Sequence, residues 1–209
     1  MMLEHIPGWL GSLLHNVRAG HAKLICVSPE LGDVGAEIDL TSPAFASGGR
    51  LPERFTADGA GVSPPLLWGA APAGTACFAL IVEDPDAPAP NPLVHAILWG
   101  IAADERRLAE GAIAPDGAGD ARGGDVGRNS FLVEGWLPPD PPTGHGMHDY
   151  VFQLFALSEA PVLDASPGRS ALLAAMRDRV LGTGLLTGTY SRGEKAVAGG
   201  GDSGAAVPI

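Results

Sequence analysis

The chain has 209 residues, enough for one domain with short extensions, and 45% of them are hydrophobic against 18% charged, so a sizeable core is within reach. A formal net charge of −11 at pH 7 and a pI near 4.8 argue against a nucleic-acid partner, which calls for a basic face. Frequent glycine (30) and proline (19) favour turns over long helices, and two cysteines cannot build a disulfide framework.

Residues 1–24 carry Leu3, Ile6, Leu10, Leu13, Leu14 and Val17 at helical spacing, which predicts an amphipathic N-terminal helix, packed on the domain or serving as a homodimer contact. The segment lacks the basic start, unbroken apolar run and cleavage site of a signal peptide. No stretch approaches the roughly 18 apolar residues of a membrane span, so a cytoplasmic chain without stable membrane insertion is expected. Cys26 and Cys77 then stay reduced, Cys77 as an inert thiol inside an apolar run.

Residues 38–42 read as a short strand, followed by a turn-rich stretch to Pro65, an apolar 66–68, and a tight turn at 72–75. Residues 77–82 form a continuous apolar strand ending in Glu83-Asp84-Pro85-Asp86-Ala87-Pro88, and His95 opens the next strand through 96–99. Residues 102–127 have no sustained period and read as a surface excursion, with a helical turn at 105–108. The proline-rich 135–144 cannot be a central strand and forms a stiff rim. His145, His148 and Tyr150 lead into an apolar strand over 151–157. Ser166-Pro167 opens a helix over 168–181, with Leu172, Leu173, Met176 and Val180 as its buried stripe and Gly182 ending it. A last strand covers 185–190, and residues 193–209 read as a flexible Gly/Ala-rich tail. Short strands between turn signals indicate an all-β sandwich or barrel, without the βαβ alternation of a doubly wound fold.

The chemistry gathers at strand ends. Residues two apart on an extended strand share a face, so Asp84 and Asp86 are placed toward one pocket, with His95 as the neighbour that relieves their repulsion. The alternative is an Asp-Pro-Asp turn whose carboxylates bond backbone amides. His148 and Tyr150 likewise share a face, and both are read as hydrogen-bond donors to an anion. The His145/His148 spacing is a weak metal signal without a third clustered ligand, so no metal and no cofactor are expected. No Gly-x-Ser-x-Gly elbow and no phosphate-binding glycine loop occur.

The order Asp84-Pro85-Asp86-Ala87-Pro88, His95, Pro141-Pro142-x-Gly144 and His148-x-Tyr150 resembles the phosphatidylethanolamine-binding protein family, best its bacterial YbhB/YbcL (Raf-kinase-inhibitor-like) branch. Leu51-Pro52, Asp58-Gly59, Ser63-Pro64-Pro65-Leu66-x-Trp68 and Pro72-Ala73-Gly74-Thr75 extend the resemblance over about residues 38–192. It implies a mostly-β fold: a β-sandwich with a central antiparallel sheet, a few peripheral helices and a small anion pocket for phosphate- or carboxylate-like groups, including phospholipid head groups. Asp84, Asp86, Pro88, His95, Pro142, His148 and Tyr150 would line that pocket. Asp140 and Asp149 depart from the pattern and would repel an anion unless turned outward; Leu93 and Trp136 also depart from it. The expected function is ligand binding, with a regulatory, kinase-inhibitor-like use. The alternatives are an acid–base enzyme in the same pocket, a hydrolase or isomerase, or an interaction module with a vestigial pocket.

Overall fold

Four long strands carry the fold of the computed structural model, which describes residues 14, 16–32, 34–115 and 124–192. They are β5 (Cys77–Asp84), β6 (Leu93–Ala102), β9 (His148–Leu157) and β10 (Val180–Tyr190). All neighbours among them are antiparallel, in the order β10-β9-β5-β6. The short strands β1 (Ala36–Glu37) and β3 (Gly49–Arg50) add to β10 in parallel, and β8 (Asp125–Val126) adds to β6, giving a seven-stranded sheet. β2 (Leu40–Thr41), β4 (Leu66–Trp68) and β7 (Arg107–Leu108) form a second, three-stranded sheet. The fold is mostly β around a central antiparallel ladder, as expected.

Alternation splits the apolar strand residues between two cores. Phe78, Leu80 and Val82 of β5 pack with Phe152 and Leu154 of β9 toward the small sheet. Ala79, Ile81 and Phe155 face the other way, against Ile25, Leu31 and a helix, α1 (Arg169–Met176). Strands buried on both faces read as near-continuous apolar runs, which is why 77–82 and 151–157, the latter interrupted by Gln153, stand out in the sequence.

Several expected boundaries shift. The helix of 168–181 stops at Met176, and its cap is Gly168 with no side-chain bond, not Ser166. Leu172, Leu173 and Met176 are buried as predicted, but Val180 already pairs with Leu157 in the ladder, and that pairing ends the helix. β10 begins at Val180, five residues before the expected 185, because its glycines are close-approach sites. A Cβ on Gly184 would lie 2.8 Å from the Ile38 carbonyl oxygen, and one on Gly188 2.5 Å from Leu51. The helical turn at 105–108 is replaced by β7, and of the strand at 38–42 only the two residues of β2 form, with β1 just before it on the other sheet.

Of the expected N-terminal helix, residues 1–13 and 15 lie outside the described residues, as does the tail from 193. Within 16–24 the only helical piece is a 3-10 turn, His21–Lys23. This stretch is a strap laid along the end of β5. Ala19 and Gly20 donate to the carbonyls of Ala87 and Pro85 at 3.0 and 2.8 Å. The Ile25 and Cys26 amides donate to Glu83 Oε2 at 2.9 Å and Gln153 Oε1 at 2.8 Å.

Candidate functional site

Three strand ends meet at one cavity of about 500 Å³, lined by Asp84, Pro88, His95, Pro142, His148 and Tyr150 among others. Asp84 closes β5 on the face of Val82. His148 and Tyr150, two apart at the start of β9, share the cavity face as alternation predicts. His95 needs a further device. Val82 pairs with Ala96 and Glu83 with Val94, so His95 is the extra residue of a β-bulge. Val94 consequently packs in one core and Ala96 in the other, and the bulge turns the imidazole toward the cavity.

Asp86 does not join them. β5 ends at Asp84, and Pro85 and Asp86 form a turn in which Asp84 Oδ1 accepts the Asp86 amide at 2.8 Å. Strand alternation stops there, and the Asp86 carboxylate swings outward to accept the Asp149 amide at 2.8 Å and pair with Arg18. Asp86 is thus a brace for the strap, and the turn reading of Asp-Pro-Asp holds for it.

His148 lines the cavity but spends both nitrogens elsewhere. Its Nδ1 meets Asp84 Oδ2 at 2.7 Å and its Nε2 meets His145 Nδ1 at 2.7 Å, while His145 Nε2 lies 2.8 Å from the Leu14 carbonyl oxygen. A carbonyl only accepts, so His145 Nε2 carries a hydrogen. The three bonds need three hydrogens, whereas two neutral imidazoles and a carboxylate bring two. The chain therefore holds one additional proton. Burial and the neighbouring His148 push the His145 imidazole below its ordinary pKa. His148 is bonded to Asp84 through one ring nitrogen and to His145 through the other, so it offers no free N–H to a ligand, contrary to its expected role as a donor.

The groups turned to the cavity are His95 and Tyr150. His95 Nδ1 lies 2.7 Å from the Leu137 carbonyl oxygen, and the His95 carbonyl accepts the Leu137 amide at 2.7 Å, so strand and rim are tied twice. The rings of His95 and Tyr150 meet edge to face at 5.0 Å. Neither His95 Nε2 nor the Tyr150 hydroxyl, both buried, has a hydrogen-bond partner among the described residues. Such orphans cost roughly 1–3 kcal/mol each and point to something beyond the fold that uses them. Burial pushes the His95 pKa down, with the nearby Asp84 opposing, and pushes the Tyr150 phenol well up, so both are neutral near pH 7.

The departures noted in the sequence are absorbed. Asp140 lines the cavity but is paired with Arg192, which also grips Asp58 at 2.6 Å. That guanidinium holds the Asp58 carboxyl below its ordinary range. Asp149 faces the strap, 3.5 Å from His21. Trp136 donates to the Phe55 carbonyl at 3.1 Å and stands 6.1 Å from the His95 ring. His21, Asp86 and Asp149 bring three ligand atoms within 4.8 Å of one another, but the Arg18 guanidinium already supplies the positive charge at Asp86. Sequence reasoning missed Arg18, Leu14, Leu137 and Arg192. Arg192, two residues beyond the last strand, gave no local signal, since its partners Asp58 and Asp140 lie 134 and 52 residues away in sequence.

A family model described as phosphatidylethanolamine-binding protein matches residues 41–191. A UPF0098 protein of Methanothermobacter thermautotrophicus is 39% identical over 158 residues, covering 75% of this chain and 100% of the relative. One of Aquifex aeolicus is 35% identical, over 76% and 91% of the two chains. Among solved structures, Escherichia coli YbcL, described as a new member of the mammalian PEBP family, superposes with a TM-score of 0.70 at 29% identity, covering 75% of this chain and 99% of its own. The strap and Leu14 before it lie outside the matched residues, yet Leu14 lines the cavity.

Proposed function

We propose that this chain, which belongs to the phosphatidylethanolamine-binding protein family, is a binding protein that holds a small acidic group, phosphate- or carboxylate-like, between His95 and Tyr150. The observation that carries this reading is the pair of buried, unpartnered polar atoms, His95 Nε2 and Tyr150 Oη, on two residues that line one cavity. The phenol donates to an acid oxygen and the imidazole meets the other, while compensation of Asp84 by His148 and of Asp140 by Arg192 removes the repulsion. A phospholipid head group, as in the family's name, is one bearer of such a group. Regulatory use of the occupied site and a cytoplasmic location belong to the same proposal. So does a homodimer contact through the N-terminal segment 1–24, tested by solution mass after deletion of residues 1–20.

An NMR titration with phosphate or acetate tests the binding. Shifts should centre on His95, Leu137 and Tyr150, and His95→Ala should abolish them; spectra unchanged at millimolar ligand would sink the reading. An acid–base enzyme draws less support, because His145 and His148 spend their nitrogens on each other, on Asp84 and on Leu14. Turnover of an ester or phosphoester that disappears with His95→Ala would favour the enzyme instead.

A further inference from the structure

We propose that the site takes up one proton with its acid ligand, so that a hydrogen is shared between a ligand oxygen and His95 Nε2, and that the remainder of the ligand is an apolar body. The proposal rests on the acid-binding reading above and adds the protonation state and class of the ligand.

The Leu137 carbonyl only accepts, so His95 Nδ1 carries the hydrogen and the neutral ring presents Nε2 to the cavity as a bare lone pair. Tyr150 presents one O–H. These two unpartnered atoms thus offer one donor and one acceptor, on rings that meet edge to face. A carboxylate or a fully ionised phosphate ester has acceptors only. One of its oxygens suits Tyr150, and the other would face the lone pair of Nε2. A proton between that oxygen and Nε2 resolves the conflict, whichever of the two atoms it sits on. A protonated acid, or a primary amide, fits as it stands.

The charged groups around His95 do not supply that proton beforehand. They are Asp84 from the end of β5, His148 and Tyr150 from β9, and Asp140 from the rim. Asp84 is matched by His148, Asp140 by Arg192, and Tyr150 is neutral. Burial weighs further against a charged His95 ring. The cavity, about 500 Å³, also exceeds what an acid group fills, on the order of two or three water volumes of about 30 Å³ each. Leu14, Pro88, Leu93, Phe131 and Leu137 line the rest, which suits a hydrocarbon or aromatic body.

Benzoate and benzamide separate the possibilities, since benzoate stays ionised in solution above about pH 5.5 and the amide does not titrate. Calorimetric titrations on the full chain would span about pH 5.5 to 8, in buffers of different ionisation heat. Benzoate affinity should fall about tenfold per pH unit above the His95 pKa, with uptake near one proton. Benzamide affinity should stay flat with none. His95→Gln should remove the benzoate slope; if that variant does not fold, Tyr150→Phe should weaken both probes and keep the slope. Benzoate binding without uptake overturns this proposal and leaves the acid-binding reading standing. Binding of neither probe at any pH overturns both.

Discussion

A single additional residue in β6 decides where His95 points. Because the bulge places the ring in a fully buried setting, its protonation is coupled to folding. Burial lowers the pKa of His95, and that of His145 with it, so below about pH 6.5 the unfolded chain binds protons that the fold resists. Their contribution is whole above that pH and is lost as pH falls toward the depressed values. Thermal melts should thus show stability dropping between pH 7 and 5, and His95→Gln should flatten the drop; an unchanged slope in that variant would contradict the burial argument. An acid ligand that gives the ring a partner should raise the melting temperature more at pH 6 than at pH 8. At this scale Asp84, Pro88, His95, Pro142, His148 and Tyr150 were legible, each standing where an apolar run meets a turn. Asp86 and the donor role of His148 were misread, because the face of a turn residue and the occupancy of a ring nitrogen follow from neighbours far along the chain.

The strap and α1 are held through one buried carboxylate. Glu83 is fully buried and accepts from Arg169 at 2.5 Å, Gln153 at 2.7 Å and the Ile25 amide at 2.9 Å. Removing its cation strands a charge in the core, so Arg169→Met should cost about 3 kcal/mol in urea unfolding, and adding Glu83→Gln should recover much of it. A single-variant loss below about 0.5 kcal/mol would mark the pair as an ordinary surface bridge. Hydrogen exchange at the Ile25 and Cys26 amides should rise in the same variant. Gly188 tests the opposite side of the site, since it pairs with Tyr150 and sits under Leu51. Gly188→Ala should cost about 1–3 kcal/mol through overpacking and weaken ligand binding by tilting Tyr150. Elements with continuous apolar runs were legible, whereas the start of β10 hid behind Gly182, which reads as a helix end, and the strap at 16–24 carries no apolar period of its own.

At the scale of the whole molecule, the sequence of turns and apolar runs was enough for a mostly-β sandwich, but not for the pairing of two sheets around two cores, which depends on partners over a hundred residues apart such as Leu51 and Gly188. Charge is legible at this scale without any structure. A net charge of −11 surrounds a site that we propose for acids, and long-range repulsion then opposes approach even though the local carboxylates are compensated. The repulsion reaches roughly 30 Å at 0.01 M salt and only about 8 Å at 0.15 M. Benzoate should therefore bind a few-fold more tightly at the higher salt, chiefly through a faster association rate, while benzamide should be indifferent. Tighter benzoate binding at low salt would mean that a local positive field outweighs the molecule's own charge, and Arg18 and Arg192, the cations paired with Asp86 and Asp140, would be the residues to neutralise first.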